Sequence, residues 1–428
     1  MKIALFTSCW LAVAGVAAAA DYPDLPPQAA VERVIADYPA VRAAQAGIRA
    51  EEANRVRLVA GSHEFNVRVG AQRRTVDDPN QRFHEWDVGL ERALRLPGKA
   101  RLDHALGAQG VDQATLAYGD AMHEAARTLL KNWFTWQRER AQAQQWQAQV
   151  QALQVQLVAT NKRVRAGDAS QLDASLAEAA LSQAEAAAER ATGRARSAAS
   201  DLSLRFSAIA LPQQLDLVEP QPLAQGPEYW REQVLHHNHE LALARAEVMR
   251  GQLTAARVGA ERLPDPAVGI RFASERSGAE HVVGVSVAIP LPGQGRAAAA
   301  SAAQAEAEAA ASREAGVLRR LEAETASAYI AAQSALGNWQ SLRRAGERVV
   351  NNAELMARAY ALGEIGLADV LAARRLAIEA RLASTTAQLD AAEARYRLLL
   401  DAHQLWPLEP EHDAADSADS PMKSNVTK

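Results

Sequence analysis

His236, His237 and His239 form the densest group of side chains able to do chemistry, and neutral imidazole is a common metal ligand. They stand at the start of a short helical stretch with no cysteine and no fixed carboxylate geometry beside them. A solvent-exposed helix start therefore accounts for them better than a metal centre does. Five methionines in the whole chain give no soft-ligand relay for copper or silver. The single cysteine, Cys9, excludes a disulfide framework and any cysteine-based zinc site. No G-x-S-x-G, H-E-x-x-H, G-x-G-x-x-G or P-loop pattern occurs, so nothing motivates catalysis. The sequence thus names no catalytic, cofactor-binding or metal-ligating residue and implies no cofactor. With 47 Lys+Arg against 51 Asp+Glu, the charge balance argues against a nucleic-acid partner.

The elements that carry these residues occur twice. Leu96-Pro97-Gly98-Lys99-Ala100-Arg101 returns as Leu291-Pro292-Gly293-Gln294-Gly295-Arg296, an offset of 195 (291 − 96). Gly167 with Asp173 returns as Gly363 with Asp369, an offset of 196 (363 − 167). A period of this kind decides the domain reading. It divides the chain into a signal peptide over 1–20, repeats over 21–215 and 216–408, and a disordered tail over 409–428. The leader is read from Lys2, the apolar run Ile3 to Ala17 and the small residues Ala18 to Ala20.

Each repeat reads helix, strand, strand, long helix, turn, helix. The short first helices cover about Ala29 to Ala60 and Glu228 to Glu261. Phe65, Val67, Val69 and Ala71 alternate with polar or small residues, and so do Trp86, Val88, Leu90 and Leu94 after a polar loop holding Thr75, Asp77, Asp78, Pro79 and Asn80. In the second copy Val268, Ile270 and Phe272 alternate, then Val283, Val285, Val287 and Ile289. Alternation over eight to ten residues makes strands with one apolar face, and that length suits a tilted membrane strand. Arg92 falls on the apolar face and must therefore lie near its rim, because an arginine at the bilayer midplane costs about 2–4 kcal/mol.

From Gly98 to about Arg165, and from Gly293 to about Ala361, the helical pattern continues unbroken for roughly 95–100 Å. Heptad steps such as Trp146, Val150, Leu153, Leu157, Thr160 and Val164 make a left-handed supercoil seam. Four strands cannot close a barrel, for which about eight is the minimum, and an open edge in lipid leaves backbone groups unpaired. Membrane strands would therefore require oligomerisation. A dimer reaches eight strands and a trimer twelve.

The leader, the duplicated helix, hairpin and long-hairpin unit, the Pro-Gly helix entries and the glycine-marked tips together resemble the outer membrane factor family, the TolC-like channels, over about residues 25 to 405. The resemblance implies a mainly α fold with a small β part, in a homotrimer. Its twelve-strand outer-membrane β-barrel would continue as a periplasmic α-helical barrel, embedded in outer-membrane lipid of a Gram-negative bacterium. It implies passive export, with a periplasmic adaptor (membrane fusion) protein and an inner-membrane RND-type pump as partners. Adaptor docking falls at the hairpin tips, here Gly167, Asp168, Ser170, Leu172, Gly363, Gly366 and Leu367. Asp173 and Asp369 become candidates for carboxylate rings at the gate; the simpler role for each is to favour the first turn of a helix. Compact length and the Pro-Gly-Lys entry resemble the heavy-metal (cobalt-zinc-cadmium) branch, and multidrug or type I protein export is the alternative cargo class. A soluble periplasmic adaptor or scaffold shares the leader and a helical hairpin, but should lack the duplicated strand pairs.

Overall fold

One proline and three glycines set the boundaries of the longest elements. Pro97 opens one helix, where its missing N–H is harmless and its fixed φ is already helical, and Gly293 caps the start of the other. Gly167 and Gly363 end them in the left-handed region, at φ 82° and 80°. The computed structural model describes residues 22–215, 217–406 and 408; the leader and tail read from the sequence lie outside them.

In chain order the first copy holds α1 (Gln28–Ala36), α2 (Pro39–Ala60), β1 (Phe65–Asp77), β2 (Asn80–Ala93), α3 (Pro97–Ala166) and α4 (Gln171–Arg205). The second holds α5 (Pro227–His237), α6 (His239–Ala260), β3 (Ala267–Glu275), β4 (Glu280–Ala288), α7 (Gln294–Ala361) and α8 (Leu367–Asp401). The same six-element order thus occurs twice. At 70 and 68 residues, α3 and α7 are each about 100 Å long. Two shorter helices lie along each: α2 and α4 pack on α3, and α6 and α8 on α7. Contacts of α3 with both α6 and α8 join the two copies side by side.

Three boundaries differ from the sequence reading. Each short first helix is two helices. Pro39 starts α2 afresh, and the Asn238 side chain caps α6 by accepting from the Leu241 N–H at 2.8 Å. The polar loop between the first two strands is mostly strand, since Thr75 and Asp77 belong to β1 and Asn80 to β2. That hairpin runs past the apolar rows with cross-strand pairs such as Arg73 with His84 and Thr75 with Arg82, so pairing continues where the apolar alternation stops.

The main core lies at mid-height, around the middle of α3. Leu129, Leu130, Trp133, Phe134 and Trp136 meet Val31, Val34 and Ile35 of α1 and Leu398 and Leu400 of α8. The N-terminal segment is tied in by the Asp24 carbonyl, which accepts from Trp133 Nε1 and Gln137 Nε2, both at 2.8 Å. Tyr396 Oη donates to the Asp24 carboxylate at 2.7 Å. Toward the tips the helices pack through small clusters of alanine, as in Ala353, Ala373 and Ala377, which allow close approach.

Candidate functional site

The four strands form one antiparallel meander in the order β1-β2-β3-β4. The β2–β3 pair joins the two copies, and β1 and β4 are left as edges. The register puts Val67, Leu90, Ile270 and Val285 in one row, and Val69, Val88, Phe272 and Val283 in the next. All eight are on one face and all are exposed, with Val69, Val285 and Val283 at 74%, 76% and 78%. The other face carries Asn66, Glu91 and Ser286, then Arg68 and Arg271. A contiguous apolar sheet face left open on this scale marks contact with lipid or a partner. At the helix-side end, Phe65, Arg92, Val268 and Val287 make the last apolar row. Arg92 leaves the apolar surface there. Its guanidinium lies 4.7 Å from the Phe65 ring centre, and Nε donates to the His63 carbonyl at 2.9 Å. Among the described residues no helix is long and apolar enough to cross a membrane.

A collar of ion pairs fixes the sheet to the helices. Lys99, 1% exposed, places Nζ 3.1 Å from Glu261 and 3.0 Å from Asp265. Asp265 also accepts from the Leu96 N–H and meets His63 at 3.0 Å, and Arg296 at the start of α7 reaches Glu261. Arg95 and Arg257 both bind Asp103. Burial works against ionisation of Asp265 and Glu261, but hydrogen bonds from Lys99, with His63 on Asp265 and Arg257 on Glu261, outweigh it. Both carboxyls sit below their ordinary range. In the second copy Gln294 stands where the first has Lys99, so only one of the two helix entries has this buried cation.

At the opposite end, the two hairpin tips repeat one motif. The Gly167 N–H bonds the Val164 carbonyl and Asp168 N–H that of Arg163; Gly363 and Glu364 do the same to Tyr360 and Ala359. The returning helices then diverge. Ser170 and Asp173 form a reciprocal cap, with Ser170 Oγ accepting from the Asp173 N–H at 3.1 Å while the carboxylate accepts from Ser170 N–H and Oγ. Gly366 has no side chain to offer, so Asp369 enters no such box and is exposed. Leu172 is exposed whereas Leu367 is buried. Between the tips, the Arg163 guanidinium lies over the Tyr360 ring at 4.8 Å, a contact the sequence did not suggest.

Of the three, only His239 starts a helix; His236 and His237 end α5, so the group straddles the α5–α6 break. The structure adds two residues that sequence reasoning missed, His123 on α3 and His403 just beyond α8. His403 lies 5.1 Å from His123, 5.0 Å from His239 and 5.5 Å from His237, ring centre to ring centre. Burial, then the neighbouring His123, His239 and His237, push the His403 imidazolium down to about 3 despite Asp401. That ring is therefore neutral at ordinary pH.

Sequence and fold comparisons agree with this architecture. Residues 230–400 match the model of the outer membrane efflux protein family. That match covers less than half of the chain. No curated protein matches the sequence. By fold, the chain is similar to the outer-membrane channel CmeC of Campylobacter jejuni, with TM-score 0.75 and 11% identity over 90% of this chain and 86% of that one. The outer-membrane channel OprN gives 0.76 at 17% identity, covering 89% and 90%. The open state of the Neisseria gonorrhoeae channel MtrE gives 0.63 at 18%, covering 89% of each. At these identities the likeness is one of fold, and the fold is that of outer-membrane channels.

Proposed function

We propose that this protein is an outer membrane efflux channel, the outlet of an RND-type tripartite system in a Gram-negative cell, that three copies form one conduit, and that its passive cargo is heavy-metal cations. The sheet carries the reading. Four strands with an exposed apolar face and two open edges satisfy their backbone in lipid only by joining further copies, and three copies give a twelve-stranded wall. Residues 21–215 and 216–408 then each supply two strands and one helical hairpin to every third of the ring. The cargo rests on the Pro97-Gly98-Lys99 entry, which resembles the metal-exporting branch, and on cation-attracting carboxylates near the tips.

The tips, through Gly167, Asp168, Ser170, Leu172, Gly363, Gly366 and Leu367, serve as the docking end for the periplasmic adaptor that links the channel to its pump. Asp369, outside any capping box, is the stronger gate residue. Three-fold repetition gathers its charge around the axis, whereas the Asp173 carboxylate is engaged by Ser170. In planar bilayers, Asp369→Ala should raise single-channel conductance and reduce cation preference, and an unchanged conductance removes the gate role. A deletion strain challenged with metals and drugs tests the cargo. Sensitivity confined to zinc, cobalt or cadmium supports it, and sensitivity to drugs alone replaces it with the multidrug reading.

A further inference from the structure

Five of the ten histidines gather from four separate segments: His123 of α3, His236 and His237 at the end of α5, His239 at the start of α6, and His403 after α8. The place is built for rings. A Cβ on Gly119 would sit 2.8 Å from the His239 ring, so glycine at that position makes room for the imidazole. His123 is 6% exposed, and its Nε2 lies 3.3 Å from Asp401 Oδ1. Its other nitrogen, Nδ1, is buried with no hydrogen-bond partner, and so are both ring nitrogens of His403. Buried polar atoms in this state are uncommon and ask for an explanation.

A metal ion supplies one. We propose that His123, His239 and His403, with His237 as a fourth donor, bind one divalent transition-metal ion of the zinc, cobalt or nickel class. Imidazole nitrogen suits these ions, and the carboxylate of Asp401 on the far nitrogen of His123 is the outer partner that orients a ligating histidine. Two imidazoles on one tetrahedral ion, each with a metal–nitrogen distance of about 2.0–2.1 Å, have ring centres about 5 Å apart. The His403 spacings to His123 and His239 have that value. His123 and His239 are 6.5 Å apart, so they must close slightly. Among the described residues no three such donors already converge on one point. Loading therefore requires the rings to turn about χ2, a broad and soft torsion in histidine. Asp120, Glu124, Glu240 and Asp401 around the cluster favour a cation, against Arg127, Arg320 and Arg397. The site concerns the chain itself and holds whatever the channel exports.

The test is cobalt and zinc titration of the full-length, tag-free protein in detergent, read by calorimetry and by the visible absorption of bound Co²⁺. One Co²⁺ per chain, displaced by zinc, is expected. His123→Gln and His403→Asn should each weaken binding at least tenfold; asparagine tolerates the left-handed backbone of residue 403 (φ 55°). His104→Ala and His281→Ala, outside the cluster, should leave it unchanged. Circular dichroism and oligomer size identify variants that remain folded. Absence of stoichiometric binding by the unaltered protein, or unchanged affinity in folded His123→Gln and His403→Asn, overturns the site without touching the channel reading.

Discussion

Lys99 shows what a single side chain does at the junction of sheet and helices. An ammonium this deeply buried is tolerable only while Glu261 and Asp265 hold it, and removing one partner of such a group is costly. Lys99→Met should destabilise the protein by about 3 kcal/mol, read as a lower temperature for heat-induced dissociation. The pH dependence follows from the same residues. Carboxyls held below their ordinary range add stability that is complete above that range and lost as pH falls through their lowered values, so Asp265 and Glu261 make the protein acid-labile. Asp265→Asn should flatten the loss of stability below about pH 4 in a melting series across pH. Sequence alone revealed Lys99 as part of a repeated motif but not its partners, which lie more than 160 residues away (261 − 99 = 162). The histidines behaved likewise. Three adjacent ones were visible, whereas His123 and His403 are brought to them only by the packing of α3 against α6 and α8. At Asp173 the simpler expectation, a carboxylate at a helix start, matches the observed cap, and Ser170 three residues earlier is the signal that carries it.

Among the elements, long helices were legible to within a residue or two, because Pro97 and Gly167 punctuate an otherwise continuous pattern. The strands were legible only where apolar residues alternate. Beyond Ala71 and Trp86 the first hairpin continues through polar pairs, and no periodicity marks that extension. Nor did the sequence reading recognise Asn238 as a cap dividing what had looked like one helix. The sheet's two faces make a sharp prediction. Val283→Arg puts a charge on the apolar face and should cost about 2–4 kcal/mol in lipid, emptying the outer-membrane fraction on immunoblots. Val282→Arg, one residue away on the polar face, should assemble normally. At the tips, Tyr360→Ala removes the ring beneath Arg163 and should loosen one hairpin from the other. Faster proteolysis near residues 163–168 is the expected readout, and an unaltered cleavage pattern would show that the contact holds nothing.

For the molecule as a whole, duplication was the strongest sequence signal, and the fold holds two copies of one six-element unit joined through the β2–β3 pair. Closure was legible only as a physical requirement, since neither edge strand finds a partner among the described residues. Light scattering of the detergent-extracted protein should give the mass of three chains; a monodisperse monomer would remove the barrel. The open β1 and β4 edges also have a genetic consequence. In a ring every copy must offer both edges, so an allele whose β1 cannot pair spoils each assembly it enters. Produced in equal amounts with the normal allele and mixed at random, it would leave only roughly one ring in eight intact. Such alleles should behave as dominant in a merodiploid cell, whereas mutations that prevent the chain from folding at all should be recessive.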